Sequence, residues 1–234
     1  MIMKKWDKLP EEFKNDDVRK YYDLLRKKRF SLAMKRVFDI VVSALMLIVL
    51  CPVFLILAIV IKIDSRGPVF YRQVRVTTYG KQFRIFKFRT MVNNADKIGT
   101  QVTVNNDSRV TKVGSFLRKY RLDELSQLID VFRGTMTFVG VRPEVQKYVD
   151  HYTNEMMATL LLPAGITNKT SVYYKDESEL LENAENADET YINVILPQKM
   201  KYNLKGIEEF GFWRDIKIMF MTVGAMLGKE YNED

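Results

Sequence analysis

Residues 37–61 read VFDIVVSALMLIVLCPVFLILAIVI, apolar throughout apart from Asp39 and Ser43. At about 1.5 Å per helical residue the run would reach roughly 37 Å, enough to cross the hydrocarbon core of a bilayer. Pro52, near its middle, removes one backbone donor and crowds the preceding turn. Lys35 and Arg36 stand before the run and Lys62 and Arg66 after it, and cationic flanks at both ends put both on the cytoplasmic side. The stretch therefore predicts a re-entrant helix that enters the membrane, bends at Cys51-Pro52 and leaves by the side it entered, the freed carbonyls finding partners inside the protein. A kinked helix that spans the bilayer is the alternative. The run starts 36 residues in, is longer than a signal-peptide core and lacks a small-residue cleavage site, so it is expected to stay in the mature protein.

Working outward, residues 1–34 are polar and basic, with Phe13, Val18, Tyr21, Tyr22, Leu24 and Leu25 at roughly helical intervals, which predicts an amphipathic helix lying on a surface. After the membrane helix, taken as residues 35–63, the remaining 64–234 are expected to form a cytoplasmic catalytic domain. Gly67 to Tyr71 and Phe83 to Phe88 mix aromatic and β-branched residues around short turns and predict a few short strands. Ser115 to Arg133 predicts one helix with Leu125, Leu128, Ile129 and Phe132 on a face; Phe212 to Leu227 predicts another, with Phe212, Ile216, Phe220, Val223 and Leu227 aligned. The fold class expected is α+β, predominantly helical and membrane-associated, with amphipathic interfacial helices.

Composition narrows the chemistry. Lys and Arg number 37 against 29 Asp and Glu, a formal net charge of +8, which favours anionic partners. Cys51 is the single cysteine and His151 the single histidine, which excludes an intrachain disulfide, a thiolate metal cluster and a two-histidine zinc site within one chain. Carboxylates are left to carry any catalysis.

Asp123 and Glu124 are adjacent, in Arg121-Leu122-Asp123-Glu124-Leu125-Ser126-Gln127-Leu128, with Arg118 upstream. Placed at a helix start, the dipole would keep Asp123 ionised and nucleophilic, and a divalent cation could bridge the pair to a diphosphate. An acidic first helical turn is also an ordinary cap. Lys87 and Arg89 alternate with Phe86 and Phe88, so on an extended segment both cations would share a side, and Arg142-Pro143 follows the loop Phe138-Val139-Gly140-Val141; cations beside a glycine loop suit phosphate. Taken singly, such pairs arise by chance in a chain this basic.

Their joint order is more specific. Lys35-Arg36-Val37-Phe38-Asp39, Lys87-Phe88-Arg89-Thr90-Met91, Asp107-Ser108-Arg109-Val110-Thr111, Leu122-Asp123-Glu124-Leu125 and Val139-Gly140-Val141-Arg142-Pro143 follow one another as in the bacterial sugar transferase family of monotopic phosphoglycosyl transferases, which the chain resembles over roughly residues 35–227. The resemblance implies a ping-pong transfer in which the aspartate matching Asp123 attacks the sugar-proximal phosphate of a UDP-sugar, expels UMP and passes the phosphosugar to polyprenyl phosphate. It implies Mg2+ held by Asp123 and Glu124, with Glu124 serving the metal or handling a proton, and a diphosphate gripped by Arg118, Arg142 and Pro143 with Lys87 and Arg89. It also implies a bacterial inner membrane location with the catalytic domain on the cytoplasmic face, as the first membrane step of a glycan such as an exopolysaccharide, capsule or O-antigen.

Three departures stand out. Cys51 replaces the serine of the family's Ser-Pro bend, Val141 the first proline of its Pro-Arg-Pro turn, and Ser126 a proline often found after the acidic pair. Residues 168–174 resemble a subgroup with an acidic stretch, Asp176 to Glu189, downstream, which leaves the sugar open. The rival reading is a non-catalytic, membrane-anchored basic module that recruits anionic lipid or a polysaccharide-assembly partner. Nucleic acid is not an expected partner, since no helix-turn-helix, zinc or ribonucleoprotein signature is present; the basic N-terminal extension and the aromatics near Phe210 to Phe212 are expected to serve either a partner, with self-association the leading form, or the lipid interface.

Overall fold

The computed structural model describes residues 3–95, 107–173, 186–226, 228, 229 and 231. The acidic stretch after residue 173 and Leu227 fall largely or wholly outside them.

The apolar run forms two helices. Helix α2 (Arg29–Val49) and α3 (Cys51–Asp64) meet at Leu50 with a bend of 61°. Pro52 sits in the first turn of α3, where its missing amide costs no hydrogen bond, while the Leu50 amide closes α2 on the Met46 carbonyl at 2.8 Å. No single helix among the described residues is long and apolar enough to cross a membrane, and only this bent pair passes on length and composition.

The two polar residues of the run lie on one stripe. Lys35, Asp39 and Ser43, spaced four apart, are all buried on the protein side of α2. The Lys35 ammonium donates to the Val139 carbonyl at 2.7 Å and pairs with Asp215, and Asp39 accepts from the Thr137 hydroxyl at 2.7 Å and the Phe138 amide at 3.3 Å. Along the other side Val37, Val41, Leu45 and Ile48 are exposed, as are Leu55, Ile59 and Ile63 on α3.

Helix α1 (Asp16–Lys27), capped by the Asn15 side chain on the Val18 amide, departs from the expected surface-lying helix. Val18, Tyr21, Tyr22 and Leu25, with Phe13 before them, are buried against Leu160, Leu161, Leu204 and Ile207. The amphipathic pattern is there, but its apolar face meets protein.

Short strands pair in twos. β1 (Phe70–Tyr71) runs antiparallel to β4 (Lys87–Phe88), and β2 (Val74–Val76) to β3 (Gln82–Arg84). β5 (Met136–Val139) and β6 (Ala164–Thr167) are parallel, with Thr137 opposite Gly165.

The helix expected over Ser115 to Arg133 is three pieces. α4 (Lys112–Lys119) ends before Arg121, whose φ of 56° is left-handed; a 3-10 segment (Leu122–Gln127) follows, then α5 (Leu128–Arg133). Left-handed backbone at a residue with a Cβ breaks helical continuity at a cost of about 1–2 kcal/mol. α5 packs under α2, and the Arg36 guanidinium caps its carbonyl end at Val131 and Phe132, at 2.7 and 2.9 Å.

Beyond α6 (Gln146–Val149), α7 (Lys169–Tyr173) and α8 (Ala187–Thr190), a π-helical turn (Tyr191–Ile195) leads into α9 (Leu196–Glu208), then α10 (Phe212–Met226). α10 buries Asp215 and packs Ile218 and Met219 inward. Of the apolar residues aligned in the sequence, Phe212 packs edge-on against Phe38 with ring centroids 5.7 Å apart and Ile216 is half-buried, whereas Phe220 and Val223 are exposed, as is Trp213.

Candidate functional site

The left-handed turn at Arg121 sets up the site, because it lets the 3-10 segment turn Asp123 inward beneath β4 while Glu124 faces the turn after β5. Asp123 is 9 % exposed. Burial pushes its pKa up, and the neighbouring Glu124 charge adds to the shift, with Lys87 and Arg118 opposing. This reverses the expected helix-dipole effect: a six-residue 3-10 segment supplies too little aligned dipole to outweigh desolvation.

Glu124 behaves in the opposite way. It accepts from the Lys87 ammonium at 3.2 Å and forms an ion pair with Arg142, whose Nη1 also lies 3.4 Å from the second carboxylate oxygen. Burial works against its charge, but Arg142 and Lys87 outweigh it and hold the carboxyl well below the usual range. Two adjacent carboxyls are thus driven apart in acidity, the pattern by which one pair divides two tasks.

Lys87 reaches the site from β4, and its burial lowers its pKa against the pull of Glu124. Arg118, from the last turn of α4, donates from Nε to the Thr90 hydroxyl at 2.8 Å and lies in the field of Asp123. α4 is seated for this by Gly114, where a Cβ would fall 1.9 Å from the Thr90 carbonyl oxygen. Pro143 is buried behind Arg142 and offers its carbonyl to Arg75 at 3.1 Å.

The structure therefore brings together Asp123, Glu124, Lys87, Arg118, Arg142 and Pro143. Arg89, expected beside Lys87, is elsewhere: its guanidinium is buried against the carbonyls of Ser65 and Arg66, at 2.6 and 2.8 Å, and of Ile61 at 3.4 Å. It caps the end of α3, so its charge goes to the orphan carbonyls of a helix terminus. Cys51 and Pro52 are exposed at the bend, away from the acidic pair. Arg75 on β2 and Gln73 just before it, not singled out from the sequence, border the site.

For a metal, among the described residues no group of three or more His, Cys, Asp or Glu side chains converges. Asp123 and Glu124 are a hard, all-oxygen pair, which matches the usual magnesium arrangement of one or two carboxylates completed by substrate phosphate oxygens and water.

A family model described as bacterial sugar transferase matches residues 30–229. Over 195 residues the chain is 38% identical to the UDP-glucose:undecaprenyl-phosphate glucose-1-phosphate transferase of Escherichia coli (strain K12), covering 81% of this chain and 39% of that protein. It is 34% identical over 197 residues to the UDP-N-acetylgalactosamine-undecaprenyl-phosphate N-acetylgalactosaminephosphotransferase of Aeromonas hydrophila, covering 83% and 44% respectively. A protein of Caulobacter vibrioides (strain ATCC 19089 / CIP 103742 / CB 15) that carries the same name as the first is 34% identical over 197 residues, covering 82% and 69%. The chain spans about two fifths of the length of the first two relatives.

Proposed function

The chain belongs to the bacterial sugar transferase family, and from that membership we propose that it moves a sugar 1-phosphate from a UDP-sugar to polyprenyl phosphate, with Asp123 as the nucleophile. The observation that carries this reading is the divided acidity of Asp123 and Glu124 inside a ring of Lys87, Arg118 and Arg142. Cations around a buried carboxyl suit a reaction whose substrates are all phosphate anions.

In the first step a carboxylate oxygen of Asp123 attacks the sugar-bearing phosphorus. The P–O bond to UMP breaks and UMP leaves with the electron pair, its new charge met by Arg118 and Arg142. In the second step an oxygen of polyprenyl phosphate attacks the same phosphorus, the Asp123–phosphorus bond breaks and the carboxylate is restored. Desolvation of Asp123 raises its nucleophilicity once it is ionised. Glu124, held ionised by Arg142 and Lys87, is poorly suited to donate a proton; this favours a charge-organising role over proton transfer. Mg2+ belongs to the proposal: Asp123 and Glu124 would hold it, and it would neutralise diphosphate charge.

The proposal extends to a membrane. The exposed apolar residues of α2 and α3, opposite the buried Lys35, Asp39 and Ser43, together with the exposed Trp213 and Phe220 on α10, support this, since large exposed apolar patches mark membrane or protein contact. We read the 61° bend as a re-entrant hairpin in the bacterial inner membrane, with the catalytic domain on the cytoplasmic face and the acidic pair at the depth of a lipid phosphate. The relatives' printed substrates include UDP-glucose and UDP-N-acetylgalactosamine, so the donor panel starts with these.

The test is UMP release by the detergent-purified chain with magnesium, undecaprenyl phosphate and a panel of UDP-sugars. Lipid-dependent release that disappears in Asp123→Asn supports the reading and names the sugar. Silence across the panel turns the balance toward the recruiting module.

A further inference from the structure

The turn that carries Arg142 is tied to β2 from two directions. The Val76 amide donates to the Glu144 carbonyl at 2.9 Å, and Arg75 Nη1 donates to the Pro143 carbonyl at 3.1 Å. Arg75 is itself gripped by Gln73, whose Oε1 accepts from Nε at 3.1 Å and Nη2 at 2.7 Å. Two contacts to one acceptor fix the plane of the guanidinium and leave Nη1 aimed at the turn. On the far side the Glu144 carboxylate accepts from the Tyr191 hydroxyl at 2.5 Å and lies 3.6 Å from Lys199.

Backbone freedom explains why Pro143 is the atom group to hold. A residue before proline is confined to extended conformations, so Pro143 already restricts Arg142, and the proline ring fixes its own φ. The soft torsion left in the turn is ψ of Pro143, which swings the carbonyl that Arg75 holds. Rotation there would carry Arg142 off Glu124. Val141 stands where a second proline would have stiffened the approach, which leaves this turn more dependent on the contact from β2. Burial of the Arg75 guanidinium lowers its pKa, the Glu144 carboxylate opposing and the Arg142 charge adding to the shift, and Arg75 in turn works against the charge on Lys87.

We propose that Arg75 is a positioning residue for the phosphate site: through Gln73 on one side and the Pro143 carbonyl on the other, it fixes the turn that keeps Arg142 on Glu124. The assignment rests on the transferase reading for its catalytic consequence, though not for its geometry. Arg75→Lys keeps the charge but cannot hold Gln73 at two points and Pro143 at a third; Gln73→Ala removes the grip and leaves the arginine.

The experiment uses the full chain in detergent and follows UMP release at varied UDP-sugar concentration. Arg75→Lys and Gln73→Ala should each lower kcat about tenfold with KM little changed, the signature of a displaced catalytic group. In an Arg142→Gln background, Arg75→Lys should add almost nothing, because its effect passes through Arg142. Wild-type turnover in Arg75→Lys, or an equal loss in both backgrounds, overturns the proposal: the first makes charge alone sufficient, the second makes Arg75 act independently. Hydrogen exchange supplies an arm free of turnover, in which amide protection over residues 141–146 should fall in Arg75→Lys, and unchanged protection rejects the positioning role. If the wild-type chain releases no UMP, the functional reading fails and the exchange arm still decides the inference.

Discussion

A buried carboxyl whose acidity is weakened is an energetic burden at neutral pH, and Asp123 carries that burden at the centre of the site. Its folded pKa is raised, so the fold favours the protonated form, and stability rises as pH falls through that pKa. Asp123→Asn removes the buried charge, and we expect about 1–2 kcal/mol of added stability, a gain in Tm of roughly 2–8 °C at the usual scaling. The same variant should form no phosphosugar adduct by intact mass. A melting point that falls would contradict the desolvation account even if activity is lost. Rate should follow the same charges: turnover falls on the acid side at a pH above that of an ordinary aspartate, and on the alkaline side where Lys87, its pKa lowered by burial, loses its proton. A pH profile of kcat/KM checks both limbs, and an acid limb at the ordinary aspartate position would mean Asp123 is not the group that titrates. Glu124 has the reverse sign. Its depressed pKa contributes stability that is present above the unfolded value and lost as pH falls toward the folded one. Glu124→Gln takes the charged partner from Lys87 and from a third-exposed Arg142, and a loss of about 1–3 kcal/mol by chemical denaturation is expected after allowing for screening at the arginine.

Secondary-structure elements show where periodicity is informative and where it is not. The break in the apolar run was legible because proline and its flanking charges carry the signal in the residue types themselves. The three-way division of Ser115 to Arg133 was not, because a left-handed Arg121 follows from tertiary packing and leaves no mark in the pattern of apolar residues. The same limit applies to α10, whose apolar residues encircle much of the helix, so that the buried face is chosen by Asp215 meeting Lys35. Among the site residues, adjacency made Asp123 and Glu124 visible, while Arg75 was hidden among 37 basic side chains. Arg89 is the instructive failure: alternation placed it beside Lys87, but a long side chain chooses its partner over several ångströms, and the open end of α3 was closer to its needs. Arg89→Met should therefore cost about 1–3 kcal/mol through unsatisfied terminal carbonyls, visible as a lower Tm. Its KM for the UDP-sugar should stay within about twofold of wild type, since uniform binding energy is not being removed. A large rise in KM with Tm unchanged would return Arg89 to the substrate.

Across the whole molecule, the two helices of the apolar run form a wall of the core and, on the proposed reading, its membrane anchor. One side of α2 is engaged with β5 and α10 through Lys35 and Asp39, with the Ser43 hydroxyl turned back onto the Asp39 carbonyl of its own helix; the other carries exposed apolar residues. A helix that spans a bilayer alone would meet lipid over most of its circumference, whereas a shallow hairpin needs only one lipid-facing side, and a buried ion pair at its base holds the protein against it. The 61° bend and the one-sided burial of α2 are what the proposed re-entrant hairpin would require. The consequence is testable in cells with Cys51→Ser as background, which also restores a hydroxyl at the bend. Cysteines placed at the exposed Lys27 and Arg66 should both resist a membrane-impermeant maleimide in intact cells and both react after permeabilisation. Labelling of only one in intact cells would establish a span. The acidic pair sits on the same chain as Arg66 beyond the bend, so a span that put residue 66 outside would place Asp123 away from cytoplasmic UDP-sugar. The topology measurement therefore bears on the proposed chemistry as well as on the proposed anchor: same-side labelling is the arrangement in which a cytoplasmic nucleotide donor and a phosphate at the lipid surface would reach one carboxylate.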